Sequence, residues 1–423
     1  MPPNLEEDGT MAFNRRKFIQ AAGAAAGASA LGFPGIVRAQ SEPIRIGLLT
    51  IKTGALASGG IDMERGLTIF LKEKNYTMGG RKVELTVADS GGVPAQARTK
   101  MQELVERDKV QAVVGPLAAF EALAMDDYIR TAQIPTLPVA GAEDMTQRKA
   151  NPWFVRATST SAQCAHPMAD YCAKHLKYKR MAAIADDFAY GHEMLGGFQK
   201  VFEDAGGTLA QKLFSPLNAP DYGTYIAQLK TDIDGVFLGF AGSNGFRFLK
   251  QYNEYAMKTP VVGGMTAFDE VAVRNMGDYA LGKLSSCWYS AQLDNPINRR
   301  FVQTYKKENG YDPGQYASGT YLYGEVLYAA IEALKGKIED KQAFIKALRA
   351  VKVDTLRGPI AFDEYGNVVG NIYIRKVEKK DGKLVNTPVY TYSDVSQFWT
   401  YPPKEFLAHP VYSRDWPPMK AGA

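Results

Sequence analysis

Residues 109–122 read KVQAVVGPLAAFEA, and the fold follows from how this stretch divides. Ala112, Val113 and Val114 form a short apolar run that Gly115-Pro116 cuts off, and a helix-compatible segment begins within a few residues. A buried parallel strand hands over to a helix in this way. The first N–H groups of such a helix have no intrahelical acceptor and point outward with the positive end of the dipole, so an anion can sit there. An ordinary βα loop reads the same way, and the neighbouring segments must decide between the two.

Toward the N-terminus lie an apolar strand at 44–50, a helix at 58–75 carrying Met63, Leu67, Phe70 and Leu71, a strand at 83–88, and a helix at 95–107 carrying Met101, Leu104 and Val105. Toward the C-terminus a helix runs through 128–130 and a strand follows at 134–138. This alternation predicts a parallel sheet covered on both faces. Residues 154–156 make a first crossing into another lobe, because a fresh series starts after them. Helices are expected at 163–176, 193–205, 222–230 and 244–255, and strands at 181–185, 209–214, 235–238 and 261–262.

After 285–290 come helices at 297–309, 320–334 and 341–351 with no strands between them. Such helices cannot make their own α/β layer, so they are expected to return over the first lobe through a second crossing near 288–292. Strands at 358–362 and 371–377, around a turn at 363–366, then complete the second lobe through a third crossing. From 387 the tail, rich in Tyr, Pro and Trp, has no clear periodicity and is expected to wrap the surface. The predicted fold class is α/β: two Rossmann-like lobes with parallel-rich sheets joined by three hinge crossings. The first lobe takes 40–155 and 291–352, the second takes 156–290 and 353–386, and 387–423 form a C-terminal extension.

With 46% hydrophobic and 22% charged residues among 423, the chain has the composition of a globular protein with room for two cores. Its 50 basic and 45 acidic residues are intermixed, net +5, which argues against a nucleic-acid surface. Arg15-Arg16 precede a weakly hydrophobic Ala/Gly-rich run that ends near Val37-Arg38-Ala39. Residues 1–39 therefore resemble a twin-arginine export signal cleaved after Ala39, with Met11 as an alternative start. The run at 21–34 is too short and too Gly-rich for a comfortable membrane span. The expected location is the periplasm. Cys164, Cys172 and Cys287 are odd in number, and the first two lie about two helical turns apart, so three buried free thiols are expected.

Enzymatic signatures are missing. The loop after Gly47 does not match a dinucleotide fingerprint, and residues 277–283, GDYALGK, imitate a phosphate loop but place Leu284 where Ser or Thr would hold magnesium. No G-x-S-x-G elbow occurs, and His166, His175, His192 and His409 include no pair at zinc-protease spacing. Asp186-Asp187 read as loop residues and caps rather than a catalytic carboxylate pair. The chain is expected to be no enzyme and to use no metal or cofactor.

With these segments placed, the sequence resembles the periplasmic solute-binding proteins of ABC importers, specifically the branched-chain amino-acid type and its aromatic-acid-binding relatives. The resemblance covers 44–377 and is carried by 54–66 (GALASGGIDMERG), 113–120 (VVGPLAAF), 134–142 (IPTLPVAGA), 185–197 (ADDFAYGHEMLGG) and 221–236 (DYGTYIAQLKTDIDGV). It implies the type I periplasmic binding protein fold, with a ligand caught between closing lobes at the carboxyl ends of the strands. By this resemblance Ser58 follows the first strand, Ala118, Ala119 and Phe120 sit at a helix start, and Val139, Ala140 and Gly141 form the next loop. Tyr190 faces the ligand from the second lobe, with Ala241, Gly242 and the stretch Met265-Thr266-Ala267-Phe268 behind it. Tyr316 comes from the returning helices.

Two departures from the family pattern bear on the ligand. Amino-acid binders of this type present hydroxyls at the helix start and a carboxylate from the second lobe, whereas here the helix starts Ala118-Ala119-Phe120, and around Met265-Thr266-Ala267-Phe268 there is no acid until Asp269-Glu270. A buried ammonium without a counter-charge costs on the order of several kcal/mol. An aromatic carboxylate fits better: backbone N–H groups of Ala119 and Phe120, with Ala140 and Gly141 nearby, hold its anionic end. Phe120, Tyr190, Phe268 and Tyr316 stack around the ring, each pair worth roughly 0.5–1.5 kcal/mol beyond area burial. For Tyr190 and Phe268 the lobe core is the other reading. Lys52 and His166 are lesser candidates for a positive contact, and Arg156 is taken to brace the crossing. The expectation is an exported monomeric binding protein that delivers a benzoate or phenylpropanoid type of acid to a membrane permease. A branched-chain amino acid or amide binder, a secreted enzyme and a ligand sensor are the alternatives.

Overall fold

The computed structural model describes residues 42–54 and 56–420; the export signal expected at 1–39 lies outside the described residues. The first sheet holds β1 (Ile44–Thr50), β2 (Thr77–Met78), β3 (Arg81–Asp89), β4 (Ala112–Val114) and β5 (Thr136–Leu137) in the order β2-β3-β1-β4-β5. All pairings are parallel except the β2–β3 hairpin. Ala112, Val113 and Val114 are fully buried, as an uninterrupted apolar strand covered on both faces must be. The strand expected over 134–138 shrinks to two residues, because Pro135 and Pro138 have no N–H to give a ladder.

The second sheet is nine-stranded: β6 (Arg180–Asp186), β7 (Thr208–Ser215), β8 (Gly235–Gly239), β9 (Val261–Gly263), β10 (Leu284–Cys287), β11 (Val353–Thr355), β12 (Gly358–Phe362), β13 (Val368–Lys380) and β14 (Lys383–Val395). Its order is β11-β12-β13-β10-β9-β8-β6-β7. One edge of β13 takes β12 and β10 in succession, and the other takes β14. Here the expectation fails. The tail does not leave the sheet at 387 but continues as strand to Val395. Pro388 and the register shift beside it break the period-two alternation, and Val389 and Tyr390 stand exposed on this edge strand, so no inward face was readable. Beyond it, Phe398, Phe406 and Tyr412 pack as a small cluster with Ala162.

The helix α1 (Ala57–Glu73) buries Met63, Leu67, Phe70 and Leu71. The long returning helix Gln315–Ala333 lies against it so closely that a Cβ on Gly66 would stand 1.9 Å from the Ala317 carbonyl oxygen. Thr320 Oγ1 donates to Met63 O across this contact at 2.7 Å. The preceding helix Pro296–Asn309 has Asn295 as N-cap, Pro296 in its first turn and Gly310 in the left-handed conformation after its end.

The chain passes between sheets within a few residues at Phe154, which bridges Thr136, and Arg156, which bridges Asn367. The buried Arg156 guanidinium ties this crossing together, donating to Ala140 O (3.0 Å), Thr146 Oγ1, Asn367 Oδ1 (3.2 Å) and Ala142 O. Cys164, Cys172 and Cys287 are free and buried. Among the described residues no helix is long and apolar enough to cross a membrane.

Candidate ligand-binding cleft

The opening stretch becomes β4, a tight turn, and the helix Ala119–Ala132. Gly115 turns the chain at φ +102°, and a Cβ there would lie 2.0 Å from Leu49 O, so this position demands glycine. Glu121 reaches back to accept from Ala118 N (3.3 Å), and Ser90 Oγ donates to its other oxygen. Burial pushes the Glu121 carboxyl up to about 7.

A cavity of about 30 Å³ sits between the sheets, with Leu117, Ala118, Ala119, Val139 and Gly141 on one side and Phe188, Tyr190, Ala241, Met265 and Thr266 on the other. Leu56, Gln315 and Tyr316 close it. Three helices begin on this cavity, at Ala119, Ala189 and Gln315, and none has a side-chain cap of its own, their N-cap residues being Ala118, Phe188 and Gly314. The first is fourteen residues long and the second sixteen. Their first-turn N–H groups lack intrahelical acceptors and carry the positive end of each dipole. The third start is already served: Asp269 Oδ2 accepts from Gln315 N at 2.8 Å.

The second lobe contributes a hydroxyl relay. Thr266 Oγ1 donates to Phe240 O, which uses its only proton, so the 2.6 Å contact between Tyr190 OH and Thr266 Oγ1 has Tyr190 as donor. Burial holds the Tyr190 phenol well above its ordinary range, keeping it neutral. Phe188 stacks on Tyr190 at 5.9 Å and meets Phe120 of the first lobe edge-on, also at 5.9 Å.

Thr266 and Tyr316 also line a second, outer cavity of about 290 Å³, where Ser58, Gly59 and Gly242 lie. Of the residues singled out in the sequence, the structure thus brings Ala118, Ala119, Val139, Gly141, Tyr190, Ala241, Thr266 and Tyr316 to the inner cavity, and Ser58 and Gly242 to the outer one. Three others are placed differently. Phe268 is fully buried in the second lobe's core, its ring filling the space that Gly263 leaves without a side chain. The Ala140 N–H is spent on Pro116 O at 3.1 Å and is no anion donor. Phe120 stands against Phe188 rather than on the cavity wall.

Neither lesser candidate reaches the site: Lys52 pairs with Glu64 at 2.7 Å on the surface, and His166 is buried beside Tyr412, where burial pushes it down to about 3. Asp186 accepts from Ala241 N and Asn244 Nδ2, both at 2.7 Å, and so fixes the loop bearing Ala241. Phe188, Leu117 and the Asp269–Gln315 contact went unread. The two apolar N-cap positions were the available signal for the uncapped helix starts.

Two α/β lobes, strand-to-helix loops facing each other across a cleft, and several chain crossings define a type I periplasmic binding protein. The chain belongs to the family described as periplasmic binding protein, whose profile matches residues 43–383. A substrate-binding protein of an ABC transporter from Sphaerobacter thermophilus is 33% identical with a TM-score of 0.80, covering 84% of this chain and 99% of that one. The solute-binding protein of an ABC transporter from Rhodopseudomonas palustris BisB5, solved with 3,4-dihydroxybenzoic acid, is 32% identical with a TM-score of 0.80, covering 84% and 98%. Leu/Ile/Val-binding protein homolog 6 of Brucella abortus is 27% identical over 84% of this chain and 93% of its own.

Proposed function

We propose that the protein is the extracytoplasmic solute-binding component of an ABC importer and that it captures a small aromatic carboxylate, of benzoate or phenylpropanoid type, between its lobes. One observation carries this reading: two uncapped helix starts, at Ala119 and Ala189, open on a cavity walled by Phe188, Tyr190 and Tyr316. Backbone donors at a helix start hold a carboxylate without any cationic side chain. The rings supply flat apolar walls. Among the described residues lining the two cavities, Asp269 is the one acidic side chain, and both its oxygens accept backbone N–H groups, from Val271 (3.1 Å) and Gln315. A substrate ammonium would have to share Asp269 with these two backbone donors. The similarity to a 3,4-dihydroxybenzoic acid complex supports the same class.

Binding works as a switch because the walls come from both lobes, so ligand favours the closed form; a tenfold preference corresponds to about 1.4 kcal/mol. The loaded monomer then hands its ligand to a membrane permease, and no catalytic step is assigned. A branched-chain amino acid is the second reading, favoured by the Brucella relative's name and by the position of Asp269. Thermal-shift titration with benzoates beside leucine, isoleucine and valine separates the two, since bound ligand raises the midpoint by linkage. A rise with benzoates alone is expected; a rise with the aliphatic amino acids alone reverses the ranking.

A further inference from the structure

The inner cavity adjoins the outer chamber of about 290 Å³, since Thr266 and Tyr316 line both. A substituent on the far side of a ring whose carboxylate meets the Ala119 start therefore faces past Thr266 and Tyr316, the residues common to both cavities, into that chamber. This chamber exists because the positions around it are small. Gly59 leaves room for the Tyr316 ring, which a Cβ there would approach to 2.9 Å, and Ser58 and Gly242 add no bulk.

Two ionic side chains reach the chamber, Asp269 and Arg274. Burial raises the Asp269 carboxyl and both its oxygens are engaged. Arg274 differs. Its guanidinium carbon lies 3.5 Å from the centroid of the Tyr311 ring, and among the described residues no carboxylate pairs with it. A guanidinium stacked by its face keeps its in-plane N–H donors free for an anion. The platform is itself fixed, because Tyr311 OH donates to Asp62 Oδ1 at 2.7 Å and receives a hydrogen bond from Arg65. Arg274 is thus an exposed, ring-stacked cation on the wall of the outer chamber, with no ion-pair partner among the described residues.

We propose that the cleft is built for an aromatic acid bearing a second anionic group at its distal end, an aromatic dicarboxylate in chemical class, and that Arg274 recognises that second group. The proposal rests on the aromatic-carboxylate reading of the inner cavity. Because Tyr311 and Arg274 come from opposite lobes, an anion held by Arg274 also joins the contacts that exist only when the lobes meet.

Calorimetric titration of the full mature chain with benzoate and with benzene-1,4-dicarboxylate tests it, in the natural protein and in Arg274→Gln, with ligand-free melting as the check on folding. The dicarboxylate is expected to bind at least tenfold tighter than benzoate in the natural protein, and this ratio is expected to fall to about one in Arg274→Gln. Equal affinities in the natural protein, or a ratio that survives the substitution, overturn the proposal while leaving the aromatic-carboxylate reading standing. If neither acid binds and leucine does, both readings fall together.

Discussion

The carboxylate of Asp269 in the second lobe caps the first turn of a first-lobe helix: Oδ2 accepts the Gln315 N–H at 2.8 Å across the cleft mouth. A carboxylate at a helix start gains from both the orphan N–H and the dipole, and here the gain is realised only while the lobes touch. Asp269 with Gln315, Arg274 with Tyr311 and Phe120 with Phe188 form three such contacts, each with one residue from either side.

Gly314→Ala isolates this latch. The Gly314 backbone is ordinary and extended, so alanine fits it, but the new Cβ would sit 2.3 Å from Asp269 Oδ1. The expected outcome is a ligand-free melting midpoint close to that of the natural protein and an affinity for aromatic acid reduced about tenfold, read by calorimetry. Undiminished affinity would show that the contact does not contribute to closure.

Tyr190 acts through its ring more than its hydroxyl. The hydroxyl donates to Thr266, so Tyr190→Phe loses one hydrogen bond, about 1 kcal/mol, and affinity should fall by less than about tenfold. Tyr190→Ala removes a wall of the cavity and should cost about tenfold or more. Equal losses in the two variants would place the weight on the hydroxyl instead.

Gly115→Ala is a stability prediction. A φ of +102° and a Cβ 2.0 Å from Leu49 O leave no room for relaxation between two adjacent strands. A loss of roughly 3 kcal/mol or more is expected in chemical denaturation, placing this substitution in the severe tail.

Stability should fall as pH rises from about 5 to 8. Glu143, before the first crossing, donates its backbone N–H to Glu193 Oε1 at 3.1 Å, and burial raises both carboxyls, that of Glu193 to about 7. Burial also raises Glu121 and Asp186 to about 7. Groups whose folded pKa exceeds the unfolded value of about 4 hold protons that the unfolded chain releases. Their contribution is complete below the unfolded pKa and is lost as pH passes through 7. The melting midpoint is expected to drop by on the order of a few degrees over this range, and Glu193→Gln should flatten the slope. A midpoint that climbs toward pH 8 would contradict this protonation state.

The parallel strands were legible because burial on both faces writes itself as uninterrupted apolar runs, as at Ala112–Val114. The helix Pro296–Asn309 lies within one residue of the 297–309 expected from the sequence. β14 was hidden by Pro388 and a bulge, since an edge strand with a half-exposed face has no strict alternation. Phe268 follows a strand as site residues do, yet turns inward because Gly263 leaves space beneath its ring. Phe188 lay in what read as a loop, because the helix begins at Ala189 rather than at Glu193. The Asp269–Gln315 contact joins residues 46 apart from opposite lobes, and no local pattern encodes such a pairing.

The central claim is that main-chain donors at the Ala119 helix start grip the negative end of an aromatic guest. A crystal structure with bound benzoate tests it most directly. The account predicts a carboxylate oxygen at about 2.7–3.2 Å from the N–H groups of Ala119 or Phe120, with the ring between Tyr190 and Tyr316. A ligand whose carboxylate points away from that helix start, or an amino acid whose ammonium is clasped by Asp269, would contradict it.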